Sequence, residues 1–302
     1  LEAIRQVRRE VGYKNTIYIH NTLVPYLEAS KEIKTKPTQH SVKELRSLGI
    51  NPDIIILRCE KPIFKRDKEK IALFCDVDMD AVIEARDVKS LYDIPINLAK
   101  QKLDLYILDH FSLDPKELEL SEWEAMLDKI KRAKGDVVIS LVGKYVALRD
   151  AYLSVIEALK HATIDQETNI KINFVDASEI NDETVENLLC NSDGILVPGG
   201  FGERAISGKL KAIEFARFNN IPFFGICLGM QLSLIEYARN VLGYKKANSA
   251  EIDEATTMPI IDLKHSKKGM ENPMRLGLYP CRLNEVTFIH PAYGKDDIQE
   301  RH

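Results

Sequence analysis

The sequence has no apolar run approaching the ~20 residues that a membrane-crossing helix needs. It has no excess of positive charge either: 42 Lys and Arg against 46 Asp and Glu leave a formal net charge of −4. No global basic field therefore points to nucleic acid, and an anionic ligand must be held by a local cluster of cations. Cysteine is scarce and odd in number. Cys59, Cys75, Cys190, Cys227 and Cys281 lie far apart, with no CxxC pair for zinc and no dense framework for a secreted, disulfide-stapled fold. Four of them read as small buried apolar residues in a reducing cytoplasm; Cys227 needs separate treatment. There is no internal repeat, no low-complexity tract and no GxxxxGK[ST] phosphate loop. The N-terminal LEAIRQVRREVGYKN reads as a charged amphipathic helix and not as a signal peptide. It lacks an initiator Met and starts in mid-helix, which suggests truncation.

What is present is a strand–helix alternation over 302 residues, enough for two domains with a core each. NTIYIH (15–20) and DIIILRC (53–59) read as buried strands. SVKELRSLG (41–49) reads as a helix with Ser41 as cap and Gly49 as stop. EKIALFCDV (69–77) has helical spacing, and VIEARDV (82–88) reads as a short strand entering a loop. The charged stretch 113–135 reads as an interdomain linker with one helix, capped by Ser121 with Glu124 three residues on. It separates a first domain, 1–112, from a second, 136–302. In the second, strands are expected at 136–145, 170–177, 193–200 and 221–227, and helices at 150–162, 182–190, 208–220 and 228–243. Such repeats give a parallel sheet with right-handed crossovers and helices on both faces.

PFFGICLGMQ (222–231) stands out. Cys227 lies between Gly225 and Gly229, where a strand turns into a helix. The glycines permit a tight turn that exposes the side chain. A helix N-terminus favours thiolate, the nucleophilic form, and the N–H of Leu228 is placed to stabilise an oxyanion. A second donor is expected from VPGGFGERAISG (197–208), where Gly199, Gly200 and Gly202 allow close backbone approach to a ligand.

GILVPGGFGERAISGK followed by PFFGICLGMQ resembles the class I glutamine amidotransferases. ANSAEID (247–253) narrows the resemblance to the glutaminase domain of the CTP synthase family. KTKPTQHSVKELRSLGI (34–50), KIALFCDV (70–77), ARDVKSLYDIP (85–95), LSEWE (120–124) and VGKYVALRDAYLSVIEALKHA (142–162) resemble the same family, collinearly and over essentially the whole chain. The resemblance implies an α/β protein of two domains with mainly parallel sheets. One is a P-loop-like amidoligase domain lacking its N-terminal part; the other is a class I glutaminase domain lacking its C-terminal part. It implies a ligase that makes CTP from UTP, ATP and glutamine, needs Mg²⁺, is activated allosterically by GTP and assembles as a homotetramer.

Residue by residue, the resemblance makes Cys227 the nucleophile. It makes Gly199, Gly200, Leu228, Gly229, Met230 and Gln231 glutamine contacts, and Glu251 the partner of the substrate's α-ammonium. Lys34, Thr35, Lys36, Pro37, Thr38, Gln39 and Lys70 match the UTP and CTP contacts, and Arg86, Asp87 and Val88 the adenine contacts of ATP. No metal ligand is implied within this chain.

The sequence also departs from the family pattern. The His-Pro-Glu expected to supply the base is not here. His265, His290 and His302 follow Cys227, but His290-Pro291 is followed by Ala292. GMENPMRLG (269–277) lacks the GGT usual before MRLG. The family's phosphate loop and its His-Glu dyad are expected outside these residues, so the 302 residues alone are expected to be inactive. A non-catalytic, nucleotide-binding or regulatory relative is the alternative. A third reading, the cysteine elbow of dienelactone-type α/β-hydrolases, leaves KTKPTQ and PGGFG unexplained.

Overall fold

The computed structural model describes residues 1–144, 149–200, 205–262 and 277–301. Gly202, His265, residues 269–276 and His302, all weighed above, lie outside the described residues. The chain divides into two compact units, Leu1–Arg132 and Ala133–His302. Both are α/β, and their main sheets are parallel.

The first unit opens with helix α1 (Glu2–Val11), stopped by Gly12 at φ 89°, and continues into strand β1 (Ile19–Leu23). A small hairpin, β2 (Tyr26–Leu27) and β3 (Glu32–Ile33), leads into helix α2 (Lys36–Ser47). Then follow β4 (Ile54–Cys59), α3 (Lys65–Cys75), β5 (Val82–Arg86), α4 (Ile94–Ala99), α5 (Leu103–His110) and α6 (Ser121–Arg132). Among the described residues the sheet order is β1-β4-β5. β4 is central, which explains its unbroken apolar run. Ile55, Leu57 and Cys59 enter one core with Val42 and Ile71 from the helices α2 and α3. Ile54 enters another with Ile83 and Leu103.

Two local expectations need correction. α2 begins at Lys36 and not after Ser41, because Pro37 occupies its first turn, where a missing N–H costs nothing. Ser41 instead meets His20 Nε2 through its hydroxyl at 2.9 Å. At the start of α6 the Ser121 hydroxyl, and with it the Ser121 N–H at 2.8 Å, donate to the Glu119 carboxylate and hold that carboxyl below the usual range. Trp123 of this helix donates its indole N–H to the Tyr92 carbonyl at 2.7 Å, so α6 packs within the first unit.

The second unit contains β6 (Asp136–Gly143), α7 (Leu153–Asp165), β7 (Asn169–Asp176), α8 (Val185–Leu189), β8 (Gly194–Val197), α9 (Ile206–Phe218), β9 (Phe223–Gly225) and α10 (Leu228–Asn240). Short pairs follow: β10 (Asn248–Ser249) with β11 (Pro259–Ile261), and β12 (Leu278–Arg282) with β13 (Asp297–Arg301), the latter flanking α11 (Ile289–Tyr293). The main sheet runs β7-β6-β8-β9. Val142, Ile195 and Val197 face α9 and α10 in one core. Leu141 and Leu196 face Val155, Ile156 and Leu159 of α7 in the other. Helices thus cover both faces, and every strand's carboxyl end points to one edge of the sheet.

Candidate functional site

Cys227 sits just past the carboxyl end of β9, as the residue before α10, with φ 53° and ψ −108°. A β-carbon makes this backbone region unfavourable, and its occupation by a non-glycine residue marks stored strain. Three glycines make the turn possible. A β-carbon on Gly225 would lie 2.5 Å from the Gly229 carbonyl, and one on Gly229 would drive into the Val197 carbonyl of β8. Helix α10 therefore seats directly on the strand ends. Gly199, in the loop after β8, brings its backbone alongside Cys227: a β-carbon there would lie 3.3 Å from Cys227 Cβ. Cys227 is exposed. The Leu228 N–H makes no hydrogen bond among the described residues, and Leu228 and Gly229 are buried beneath the thiol. Cys227, the Leu228 N–H and the Gly199 backbone thus lie together past the carboxyl ends of β8 and β9.

Gln231, one turn into α10, and Glu251 also come together. Gln231 Nε2 donates to Glu251 Oε2 at 2.8 Å, while Gln231 Oε1 accepts from Ser249 Oγ at 3.1 Å. The Ser249 hydroxyl accepts from the Glu251 N–H at 3.2 Å, fixing the loop that carries the carboxylate. His290 lies on α11 and pairs with Asp296 at 2.8 Å.

Two of the four cysteines expected to be buried are not. Cys59 and Cys75 are buried, and desolvation pushes the Cys59 thiol up to about 11 and raises that of Cys75. Cys190 and Cys281 are exposed: one ends the five-residue helix α8 and the other lies on the β12–β13 hairpin, where no second layer covers them among the described residues.

In the first unit a pocket of about 850 Å³ gathers Lys34, Thr35 and Lys36 with Lys70, 34 residues further along from Lys36. Pro37, Thr38 and Gln39 do not line it. Pro37 opens α2, Thr38 is fully buried, and Gln39 Nε2 donates to the Thr35 hydroxyl at 3.3 Å. The sequence reading passed over Lys31, Lys61 and Arg66, which also line the pocket. Their signal was weak, since a run such as KRDKEK is ordinarily a solvated helix face. Six cations there outnumber the two acids, Glu32 and Asp67, and Lys34 pairs with Glu32 at 2.5 Å. This is the local basic cluster that the net charge required. A second pocket, about 530 Å³, is lined by Lys68, Glu84, Arg86, Val88, Asn97 and Gln101. Arg86 and Val88 are therefore brought together. Asp87 turns aside: its N–H donates to the Cys59 carbonyl at 2.9 Å and its carboxylate lies 3.6 Å from Arg58.

A family model described as CTP synthase N-terminus matches residues 1–113, and one described as Glutamine amidotransferase class-I matches residues 147–280. The CTP synthase of Bacillus velezensis is 53% identical over 305 residues, covering 100% of this chain and 57% of the relative. Along its whole length this chain is related to the CTP synthases. The CTP synthase of Staphylococcus epidermidis is likewise 53% identical, and that of Listeria monocytogenes 52%, with the same coverage. The chain thus spans little more than half the length of these curated CTP synthases. Among solved structures, the Trypanosoma brucei CTPS glutaminase domain with bound acivicin superposes with a TM-score of 0.50 at 36% identity. That match covers 55% of this chain and 66% of the other.

Proposed function

We propose that this chain carries parts of both halves of a CTP synthase. Residues 1–112 would be the synthetase part, 113–135 the connection and 136–302 the glutaminase part. The observation that carries the reading is the strained Cys227 elbow, with the free Leu228 N–H beneath it, in the same chain as a cation-lined pocket. In this reading the Cys227 thiol adds to the side-chain amide carbon of glutamine. The Leu228 N–H and the Gly199–Gly200 backbone stabilise the oxyanion. The amide nitrogen takes the thiol proton and leaves as ammonia, and the acyl group stays on Sγ as a thioester. Water hydrolyses it to glutamate and restores the thiol. Glu251 pairs with the substrate's α-ammonium.

In the other half, ATP phosphorylates O4 of UTP, and ammonia displaces that phosphate at C4 to give CTP. Lys34, Lys36 and Lys70 hold the triphosphate of UTP or of the product, and the Arg86–Val88 segment meets the adenine of ATP. GTP activation, a cytoplasmic location and a homotetramer belong to the same proposal, by kinship. In this proposal the chain supplies nucleophile, oxyanion donors and anion binders, and the reaction's ATP is used with Mg²⁺.

The test uses acivicin, the compound bound in the trypanosomal structure. The protein is incubated with it and digested for mass spectrometry. An adduct on Cys227, suppressed by excess glutamine, is expected, and exposed Cys190 and Cys281 serve as internal controls. Equal labelling of all three exposed thiols, or no protection by glutamine, would overturn the assignment. In the whole enzyme, supplied with UTP, ATP and glutamine, Cys227→Ala should abolish CTP formation, while added ammonia should restore it.

A further inference from the structure

The second pocket of the first unit rests on a side-chain amide that no motif pointed to. β5 is the edge of its sheet among the described residues, so its outward N–H and C=O groups face no neighbouring strand. At Glu84 both are taken by Gln101. The Glu84 N–H donates to Gln101 Oε1 at 2.8 Å, and Gln101 Nε2 donates to the Glu84 carbonyl at 2.7 Å. The same carboxamide accepts from Lys68 Nζ of α3 at 3.2 Å and donates to the Asn97 carbonyl of α4 at 3.1 Å. A carboxamide offers two lone pairs and two N–H groups, and all four are used. Gln101 therefore does for one residue what a further strand would do, and ties three elements together.

Glu84 passes that order on. Its Oε2 accepts from the Ile63 N–H at 3.1 Å, in the loop that carries Lys61 and Phe64 into the basic pocket. Its Oε1 accepts from Arg86 Nε at 3.0 Å and Nη2 at 2.7 Å. The Glu84 side chain is only 14% exposed and that of Arg86 is 49% exposed, so solvent screens the Arg86 side of this fork.

We infer that Gln101 is a positioning residue for nucleotide binding. By fixing Glu84 it sets the Arg86–Val88 segment against the base of a purine nucleotide. The inference rests on the reading of that segment as an ATP contact. A merely structural clamp would weaken both substrates alike when removed; a positioning residue moves one substrate's binding more than the other's.

The experiment is steady-state CTP formation by the whole enzyme with ammonium as nitrogen source, which bypasses Cys227. ATP is varied at saturating UTP, and UTP at saturating ATP, for the wild type, Gln101→Leu and Gln101→Glu. Gln101→Leu should raise the KM for ATP about tenfold, the effect of one lost hydrogen bond in a shielded site. The KM for UTP, which Glu84 reaches only through its one bond to Ile63, should rise less, by no more than about threefold, and the thermal midpoint should fall by several degrees because the Glu84 N–H and carbonyl lose their partner. Gln101→Glu keeps both acceptor bonds but sets a carboxylate oxygen against the Glu84 and Asn97 carbonyls that Nε2 now meets at 2.7 and 3.1 Å, so it should raise the KM for ATP at least as far as Gln101→Leu, and it guards against a Leu variant that fails to fold. An unchanged KM for ATP in both variants overturns the inference. So does an equal rise in the KM values for ATP and UTP. A wild type that makes no CTP from UTP, ATP and ammonia would instead overturn the ATP-site reading itself, and this inference with it.

Discussion

Replacing Gly225 by alanine sets two effects of opposite sign against each other at the nucleophile. The new β-carbon would meet the Gly229 carbonyl carbon and oxygen at 2.5 Å and the Met230 nitrogen at 2.6 Å. Separations below 3.0 Å do not occur for real β-carbons, so the first turn of α10 must retreat by at least 3.0 − 2.5 = 0.5 Å. The neighbours are backbone atoms and cannot rotate away. Against this, Gly→Ala restricts the unfolded chain and favours folding by about 0.4–1 kcal/mol. Overpacking costs about 1–3 kcal/mol, so the net change is a loss of roughly 0–2.5 kcal/mol, or a drop of up to ~10 °C in thermal midpoint. Catalytic geometry is less forgiving. Groups at a reacting centre must be held to about 0.5 Å, and a 1 Å displacement costs about 100-fold. A shift of this size in Cys227 and the Leu228 N–H should therefore slow glutamine hydrolysis by about tenfold, while most molecules stay folded at 25 °C. The assay is acivicin labelling of Cys227 and, in the whole enzyme, glutaminase turnover, beside a thermal melt. Reactivity within twofold of the wild type would refute the reasoning, because it would mean that α10 is not seated on Gly225 as described.

Further outcomes follow from other sites. Lys209 of α9 is 3% exposed, and burial, with the Lys144 charge beside it, lowers its pKa from the ordinary 10.5. The unfolded chain therefore binds more protons between the lowered value and 10.5, and stability rises with pH across that window. Lys209→Met should raise the melting temperature at pH 7, with a gain that shrinks as pH approaches 10.5. Lys70→Glu reverses one of the six cations of the basic pocket. Calorimetric titration should show UTP binding at least about tenfold weaker, with a smaller difference at high salt, since exposed charges are screened. Arg217 grips Glu236 through Nε and Nη2 at 2.7–3.2 Å, and the Glu236 side chain is 2% exposed. Arg217→Ala should cost about 3–5 kcal/mol in chemical denaturation by leaving that carboxylate buried without its partner. Glu236→Gln, which keeps a neutral hydrogen-bonding group, should cost less.

Much of this protein is legible from contiguous residues. DIIILRC marks itself as a central strand because both faces of β4 are covered. The alternation after residue 136 yields the parallel sheet, and Gly-Ile-Cys-Leu-Gly yields the elbow, because the turn's requirement for glycine is local. Helix ends were less legible. Pro37 looks like a loop residue and stands in the first turn of α2; the 182–190 helix shortens to Val185–Leu189 because Asn181 caps a turn through the Glu183 and Thr184 N–H groups. The exposure of Cys190 and Cys281 was not legible at all, since a cysteine's burial depends on what packs over it.

The α/β class, the glycine-flanked Cys227 turn and the lysine-bearing segments could be read from the sequence, since each is written in a few neighbouring residues. Tertiary structure alone decided the rest. The order β7-β6-β8-β9 brings the loop after β8 beside Cys227. The order β1-β4-β5 brings Lys34, Lys61 and Lys70 to one pocket and makes β5 an edge that Gln101 must close. Strand order is set by burying two sheet faces at once, a condition on the whole unit that no single stretch of sequence contains.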